Sequence, residues 1–169
     1  MKSALWATAL ALVATSACAG RQPSPAGEPT LADIEQLTSL VRQPRSRALL
    51  VVFWATWCEP CVAEIPDLVA LHTTMSENLE IVGVSLDAFL NPPEKSLELV
   101  REQLRLTPTP YAHLVYTGRQ DPLFALFDMP GGIPYAVLYD RNGAALERFS
   151  GQVRVHSVRA ALALEEIEG

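Results

Sequence analysis

The chain has 169 residues, with 13 Lys+Arg against 19 Asp+Glu and a formal net charge of −6. That length fits one domain. The acidic balance and the scatter of the basic residues, with no basic stripe interleaved with aromatics, exclude nucleic acid as a partner.

The start of the chain reads as an address. Lys2 is a short positive n-region, residues 4–14 are an apolar h-region, and Thr15, Ser16 and Ala17 are the small residues of an export cleavage site ahead of Cys18. The apolar run is too short to span a membrane, which takes about 20 residues. Thr15-Ser16-Ala17-Cys18 resembles a bacterial lipobox, with Thr15 where leucine is commonest, and this implies lipidation of Cys18. A second reading is plain cleavage after Ala17-Cys18-Ala19, also a small-x-small site. Residues 1–17 are thus a signal peptide in an exported protein. Residues 18–29, with three prolines after Cys18 and no apolar periodicity, form a tether. Its last eleven residues would span about 35 Å at ~3.1 Å per residue if extended. Residues 30–169 are the domain.

Within it, Thr30 is expected to cap a helix, with Asp33 as the acidic half of a capping box and Leu31, Ile34, Leu37, Leu40 and Val41 as its apolar stripe. Pro44 ends it. Residues 48–54 are a continuous apolar run, as in a buried parallel strand. Cys58-Glu59-Pro60-Cys61 follows at the start of a helix whose apolar face is Cys61, Ile65, Leu68, Leu71 and Met75. Pro60 is tolerated in its first turn, and Pro66 should kink it. Further on come a strand over 80–86, a helix over 94–104, a loop over 107–110 and a strand over 113–116. Asp121-Pro122 opens a short helix through Phe127. Pro134 begins the strand 135–139, Asp140-Arg141-Asn142-Gly143 is a hairpin turn, residues 144–150 return antiparallel, and 153–167 form a closing helix. His72 and His156 read as helix-surface residues, His113 as part of a strand and Met129 as an apolar rim residue.

Cysteines three apart in a first helical turn are neighbours, within the roughly 4.4–6.8 Å between α-carbons that a disulfide needs. Cys58 at the helix N-terminus is activated as a thiolate by free amides and the macrodipole. With Cys18 removed or lipidated, Cys58 and Cys61 remain as a matched pair in an oxidising compartment, and the pattern points to redox chemistry. A structural disulfide or half of a zinc site are the other readings. Zinc needs two more ligands, and His72, His113 and His156 are not spaced with the pair.

Trp57-Cys58-Glu59-Pro60-Cys61, followed by Glu64 and Pro66, resembles the thioredoxin superfamily, and more narrowly the exported TlpA/ResA-type thiol–disulfide oxidoreductases. Gly132-Ile133-Pro134 with residues 138–143 matches that family's second landmark. The resemblance covers roughly residues 46–165. It implies an α/β fold, a thioredoxin-like three-layer α/β/α sandwich with a mixed central sheet and an extra helix–strand insertion. Cys58 is then the nucleophile, and Cys61 resolves the mixed disulfide. Glu64, one turn on, relays the Cys61 proton, because Val52 stands where thioredoxins have a buried aspartate; the other reading of Glu64 is a solvated helix carboxylate. Pro134 is a cis-proline that leaves Ile133 able to pair with a substrate segment. Trp57, Glu59 and Pro60 tune the pair, with Trp57 shaping access and Glu59 leaning the site towards reduction by opposing the thiolate; the other reading of Glu59 is an acidic residue favoured in a first helical turn. Trp54 packs in the core. Two departures are Tyr135, where threonine is commoner, and a helix from Leu31 in place of the family's opening hairpin.

The expected protein is a monomer anchored to a membrane through Cys18, without cofactor or metal. It reduces protein disulfides and draws electrons from a membrane thiol relay. A dithiol oxidase and a Cu(I)-binding module are the competing functions.

Overall fold

The computed structural model describes residues 28–168. The leader, the tether up to Gly27 and Cys18 lie outside the described residues. Six strands form one sheet in the order β1-β4-β3-β2-β5-β6. In chain order they are β1 (Thr30–Ala32), β2 (Ala48–Trp54), β3 (Leu79–Ser85), β4 (Ala112–Tyr116), β5 (Tyr135–Tyr139) and β6 (Ala145–Ser150). The helices are α1 (Ile34–Arg42), α2 (Glu59–Met75), α3 (Pro93–Leu106), α4 (Gln120–Phe127) and α5 (Val155–Glu168). β1, β4, β3 and β2 run parallel, and β5 and β6 pair antiparallel. The sheet is therefore mixed. Among the described residues no helix is long and apolar enough to cross a membrane.

All seven residues of β2 are buried, as its unbroken apolar sequence requires of a central strand. Its side chains alternate between two cores. Leu49, Val51 and Phe53 pack with α1 and α4, where Phe53 meets Phe127 edge-on at 4.6 Å between ring centroids. Leu50 and Val52 pack with Leu68 and Leu71 of α2 and Val158 and Leu162 of α5. Trp54 packs with Cys58, Cys61 and the α3 residues Val100 and Leu104. Helices thus cover both faces, giving three layers.

Several boundaries differ from expectation. Residues 30–32 are not the start of a helix: they pair with β4, Thr30 opposite Leu114, because the free edge of β4 offers a ladder that outweighs helix propensity in three residues. The cap is Asp33, whose Oδ1 accepts from the Gln36 amide at 2.9 Å while Gln36 Oε1 accepts from the Asp33 amide at 3.0 Å. This is a capping box one turn later than expected. A single parallel strand, followed by α1, therefore stands where the family's opening hairpin would be. α4 starts at Gln120 with no side-chain cap, leaving Asp121 in its first turn.

The hairpin loop is held by Asp140, whose Oδ1 accepts from the amides of Asn142 and Ala144 at 2.9 and 2.7 Å. Only Gly143 there has a positive φ, +87°. The turn is therefore not the primed type with two left-handed residues that Asn-Gly promises. α5 begins at Val155 rather than Val153: its first bonds run from the Ser157 and Val158 amides to the Arg154 carbonyl, and the Val153 amide donates to Glu64. Met129 is buried in the α1/α4 core rather than lying on a rim, and His72 is half-buried against Tyr111 rather than on the surface.

Candidate active site

Sheet register brings the site together. Phe53 pairs with Tyr135 across β2 and β5, so Pro134 lies beside the end of β2. Trp54 pairs with Ser85 across β2 and β3, so the residues after β3 lie behind the loop that leaves β2. That loop closes with the Cys58 amide donating to the Ala55 carbonyl at 3.1 Å, and α2 starts at once. Cys58 is its N-cap residue, with extended backbone and no side-chain cap bond, and Pro60 sits in the first turn, where its missing N–H costs nothing.

Cys58 and Cys61 form a disulfide, with α-carbons 5.3 Å apart. Cys61 is fully buried and Cys58 is 5% exposed. Trp57 stands out at 51% exposed, beside exposed Glu59 and Pro60, and the Pro60 carbonyl accepts from Gln152 Nε2 at 3.1 Å. On the facing side the Ile133–Pro134 peptide is cis. Ile133 packs on the cluster that holds both cysteines, and the Pro134 carbonyl accepts from the Gly151 amide at 2.9 Å. Cys58, Cys61, Ile133 and Pro134 thus share one locality.

Glu64 is not a solvated helix carboxylate. It is 3% exposed, its Oε2 accepts from the Val153 amide at 3.0 Å, and its Oε1 has no hydrogen-bond partner among the described residues. Burial pushes its carboxyl up to about 7, aided by the Asp67 charge and opposed by the Val153 amide. Three residues after Cys61 on one helix, it shares the inward face of that cysteine and is poised to hold or release a proton near neutral pH.

A second polar group behind Cys61 has no counterpart in the sequence reading. His113 is 5% exposed, between Trp54 and Tyr111 at ring-centroid distances of 5.3 and 5.0 Å. Its Nε2 lies 2.9 Å from the Thr109 hydroxyl oxygen. That hydroxyl also lies 3.5 Å from the Tyr111 carbonyl. Burial lowers the imidazole to about 4, so it is neutral at pH 7. His113 Nδ1 and Trp54 Nε1 are both buried without partners among the described residues. Both residues line a chamber of about 10 Å³, shared with Cys61, Val52 and Tyr111. Burial, helped by the Glu64 charge, also drives the Tyr111 phenol up. A lone histidine in an apolar strand gives no signal of this, because strand pairing alone decides its neighbours.

Gly83 makes room for the arrangement. A Cβ there would meet His113 Nδ1 at 2.5 Å and Trp54 Nε1 at 3.2 Å, and both rings are hemmed in. Gly83→Ala is expected to cost about 1–3 kcal/mol of stability, read as a lowered urea midpoint with unchanged slope. An unchanged midpoint would show that the rings move freely.

Among the described residues no group of three or more His, Cys, Asp or Glu side chains is placed to hold a metal ion.

A family model described as Thioredoxin-like matches residues 46–144. A DsbE-homolog thiol:disulfide interchange protein of Paracoccus denitrificans is 46% identical over 72 residues, which is 42% of this chain and 37% of that protein. A thiol-disulfide oxidoreductase ResA of Geobacillus thermodenitrificans is 26% identical over 133 residues, 78% of this chain and 71% of that one. The chain thus matches well under half of the first relative and most of the second. Among solved structures, a thioredoxin-related protein from Neisseria meningitidis serogroup B superposes with a TM-score of 0.60 at 24% identity, covering 73% of this chain and 87% of that chain.

Proposed function

We propose that this chain, which belongs to the thioredoxin-like family, is an extracytoplasmic thiol–disulfide oxidoreductase that reduces protein disulfides through Cys58 and Cys61. The observation that carries the reading is the Cys58–Cys61 disulfide at the start of α2, opposite the cis Ile133–Pro134 edge. The names of the relatives, an interchange protein and a thiol-disulfide oxidoreductase, support the same class.

In the reducing direction the Cys58 thiolate attacks one sulfur of the substrate disulfide. A Cys58–substrate disulfide forms, and the other substrate sulfur leaves and takes a proton. Cys61 then loses its proton to the Glu64 carboxylate and attacks the Cys58 sulfur. This closes Cys58–Cys61 and releases the second substrate thiol. Two electrons pass to the substrate; solvent supplies the proton taken by the first leaving sulfur, and the Cys61 proton held on Glu64 goes to the second, restoring the carboxylate. The backbone of Ile133, ahead of the cis bond, is where a substrate strand would pair. Trp57, half exposed, gives a flat apolar contact beside the sulfur, and Glu59 and Pro60 shape the first turn.

The lipobox-like residues 15–18 support export, with residues 1–17 removed, residues 18–29 as tether to a lipid on Cys18, and residues 30–169 as a monomeric domain on the extracytoplasmic side. A closed pair in an oxidising compartment needs an electron source, and a membrane thiol relay is the class that supplies one.

The test is stoichiometric. The reduced protein is mixed with a disulfide-bonded protein substrate, and free thiols are counted on each partner. One substrate disulfide opened for each Cys58–Cys61 pair closed is the expected result. No transfer above the rate of a small-molecule thiol would refute the activity. Fatty-acid labelling that marks the wild type but not Cys18→Ala checks the anchor, and equal labelling of both would remove it.

A further inference from the structure

We propose that Asp87, which follows β3 and lies far from the cysteines in sequence, positions the cysteine loop and keeps the Cys58–Cys61 pair a strong reductant. This rests on the dithiol reading above. Asp87 is fully buried. Its Oδ2 accepts from the Thr56 amide at 3.0 Å and from the Ser85 hydroxyl at 2.7 Å, and its Oδ1 accepts from the Thr56 hydroxyl at 2.5 Å. The Asp87 amide donates back to Ser85 Oγ at 3.1 Å. Its carbonyl accepts from the amides of Leu90 and Asn91, both at 3.1 Å. One residue thus ties the end of β3 to the second residue of the loop between β2 and Cys58, while the Leu86 amide donates to the Trp54 carbonyl at 2.9 Å alongside.

The three donors fully engage the carboxylate, but they are neutral dipoles. Among the described residues no lysine or arginine forms an ion pair with Asp87. An uncompensated charge in the interior is felt more strongly than one in water. Of the other carboxylates around the pair, Glu59 is exposed and screened, and Glu64, buried on the inward side of α2 with Asp67 one turn further out, is charged above pH 7 in wild type and variants alike, so its effect cancels between them. Arg154 is the exposed cation on the turn that meets α2, and His113 is neutral. Asp87, bound to Thr56 two residues before Cys58, is therefore a buried carboxylate held against the nucleophile's own loop. It disfavours the Cys58 thiolate and so destabilises the reduced form. A couple whose reduced form is less stable has a more negative potential.

Asp87→Asn separates the charge from the scaffold. An amide oxygen in the Oδ2 position still accepts from the Thr56 amide and Ser85 hydroxyl, and the amide nitrogen in the Oδ1 position donates to a rotated Thr56 hydroxyl. Thr56→Val is the counterpart: it keeps the charge and loosens the loop. The full chain is equilibrated with glutathione buffers at pH 8, and the fraction of closed pair is read by thiol alkylation. Asp87→Asn is expected to shift the equilibrium about tenfold towards the dithiol, a potential about 30 mV less negative. Thr56→Val lowers the urea midpoint and does not raise the potential. If Asp87→Asn does not fold, Asp87→Ser removes the same charge with the same expected direction. An unchanged or more negative potential in the charge-removing variant overturns the proposal. So does an equal rise in Thr56→Val, which would assign the effect to loop mobility. The potential of the wild-type pair is measurable whether or not the protein opens a protein disulfide, so failure of the reductase reading shows separately in the stoichiometric assay.

Discussion

Cys58→Ser is expected to abolish disulfide exchange, a loss on the order of 10⁴-fold or more by the scale of nucleophile removal. Cys61→Ser is expected to leave the first step intact and stall the second. The argument is one of access and order. Cys58 stands at the start of α2, where free amides favour its thiolate, next to the half-exposed Trp57. Cys61 is fully buried one turn in, so a substrate sulfur reaches Cys58 first. Without Cys61, nothing inside the protein attacks the mixed disulfide, and partners accumulate on Cys58. Non-reducing gels of the two variants after reaction with a disulfide-bonded protein check this: adducts in Cys61→Ser and none in Cys58→Ser. Adducts held by Cys58→Ser instead would reverse the assignment.

Glu64→Gln is expected to raise stability at pH 8 and to slow resolution. The group's folded value of about 7 stands against an ordinary 4.5. Below 4.5 the carboxyl is protonated in both states. Between 4.5 and 7 the unfolded chain releases a proton that the folded protein retains, so this group makes stability fall as pH rises. Above 7 the whole penalty is present, about 3 kcal/mol at 1.36 kcal/mol per unit. Glutamine keeps an acceptor for the Val153 amide and removes the charge. The difference in urea midpoint between variant and wild type should therefore be small at pH 4.5 and grow to a plateau above pH 7, the other titrations cancelling. In turnover, losing a positioned base costs up to about 10²–10⁴-fold. That loss should fall on the Cys61 step, seen as longer-lived mixed disulfide with an unchanged rate of first attack. A pH-independent midpoint difference would mean that Glu64 titrates normally, and an unchanged lifetime would remove it as proton acceptor.

What the sequence made legible and what it hid divide along one physical line. β2 and the start of α2 are local patterns, an apolar run and a proline in a first turn; Asn-Gly marked the place of the hairpin turn but not its type, which the Asp140 side chain sets. The two landmarks, Cys58-Glu59-Pro60-Cys61 and Ile133-Pro134, were readable as landmarks because they resemble a known family's pattern in residue type and order. β1 was not, since three residues at a sheet edge follow the partner strand rather than their own propensity. Asp87 was not readable either, because its partners Thr56 and Ser85 meet it only through the β2–β3 register. His113 has the same character: strand β4 and glycine at position 83 create its neighbourhood behind Cys61. Glu64 lay between the two cases. Its helical phase was legible, but the burial that changes its proton affinity comes from the β6–α5 turn closing over it at Val153.

The central claim is that the Cys58–Cys61 pair works as a reductant, and its reduction potential tests that most directly. Equilibration of the wild-type protein with defined glutathione ratios, followed by alkylation of free thiols, gives the value. A potential near that of thioredoxin, about −270 mV, is the predicted result. A value near −120 mV, that of a strong disulfide-forming oxidant, would contradict it.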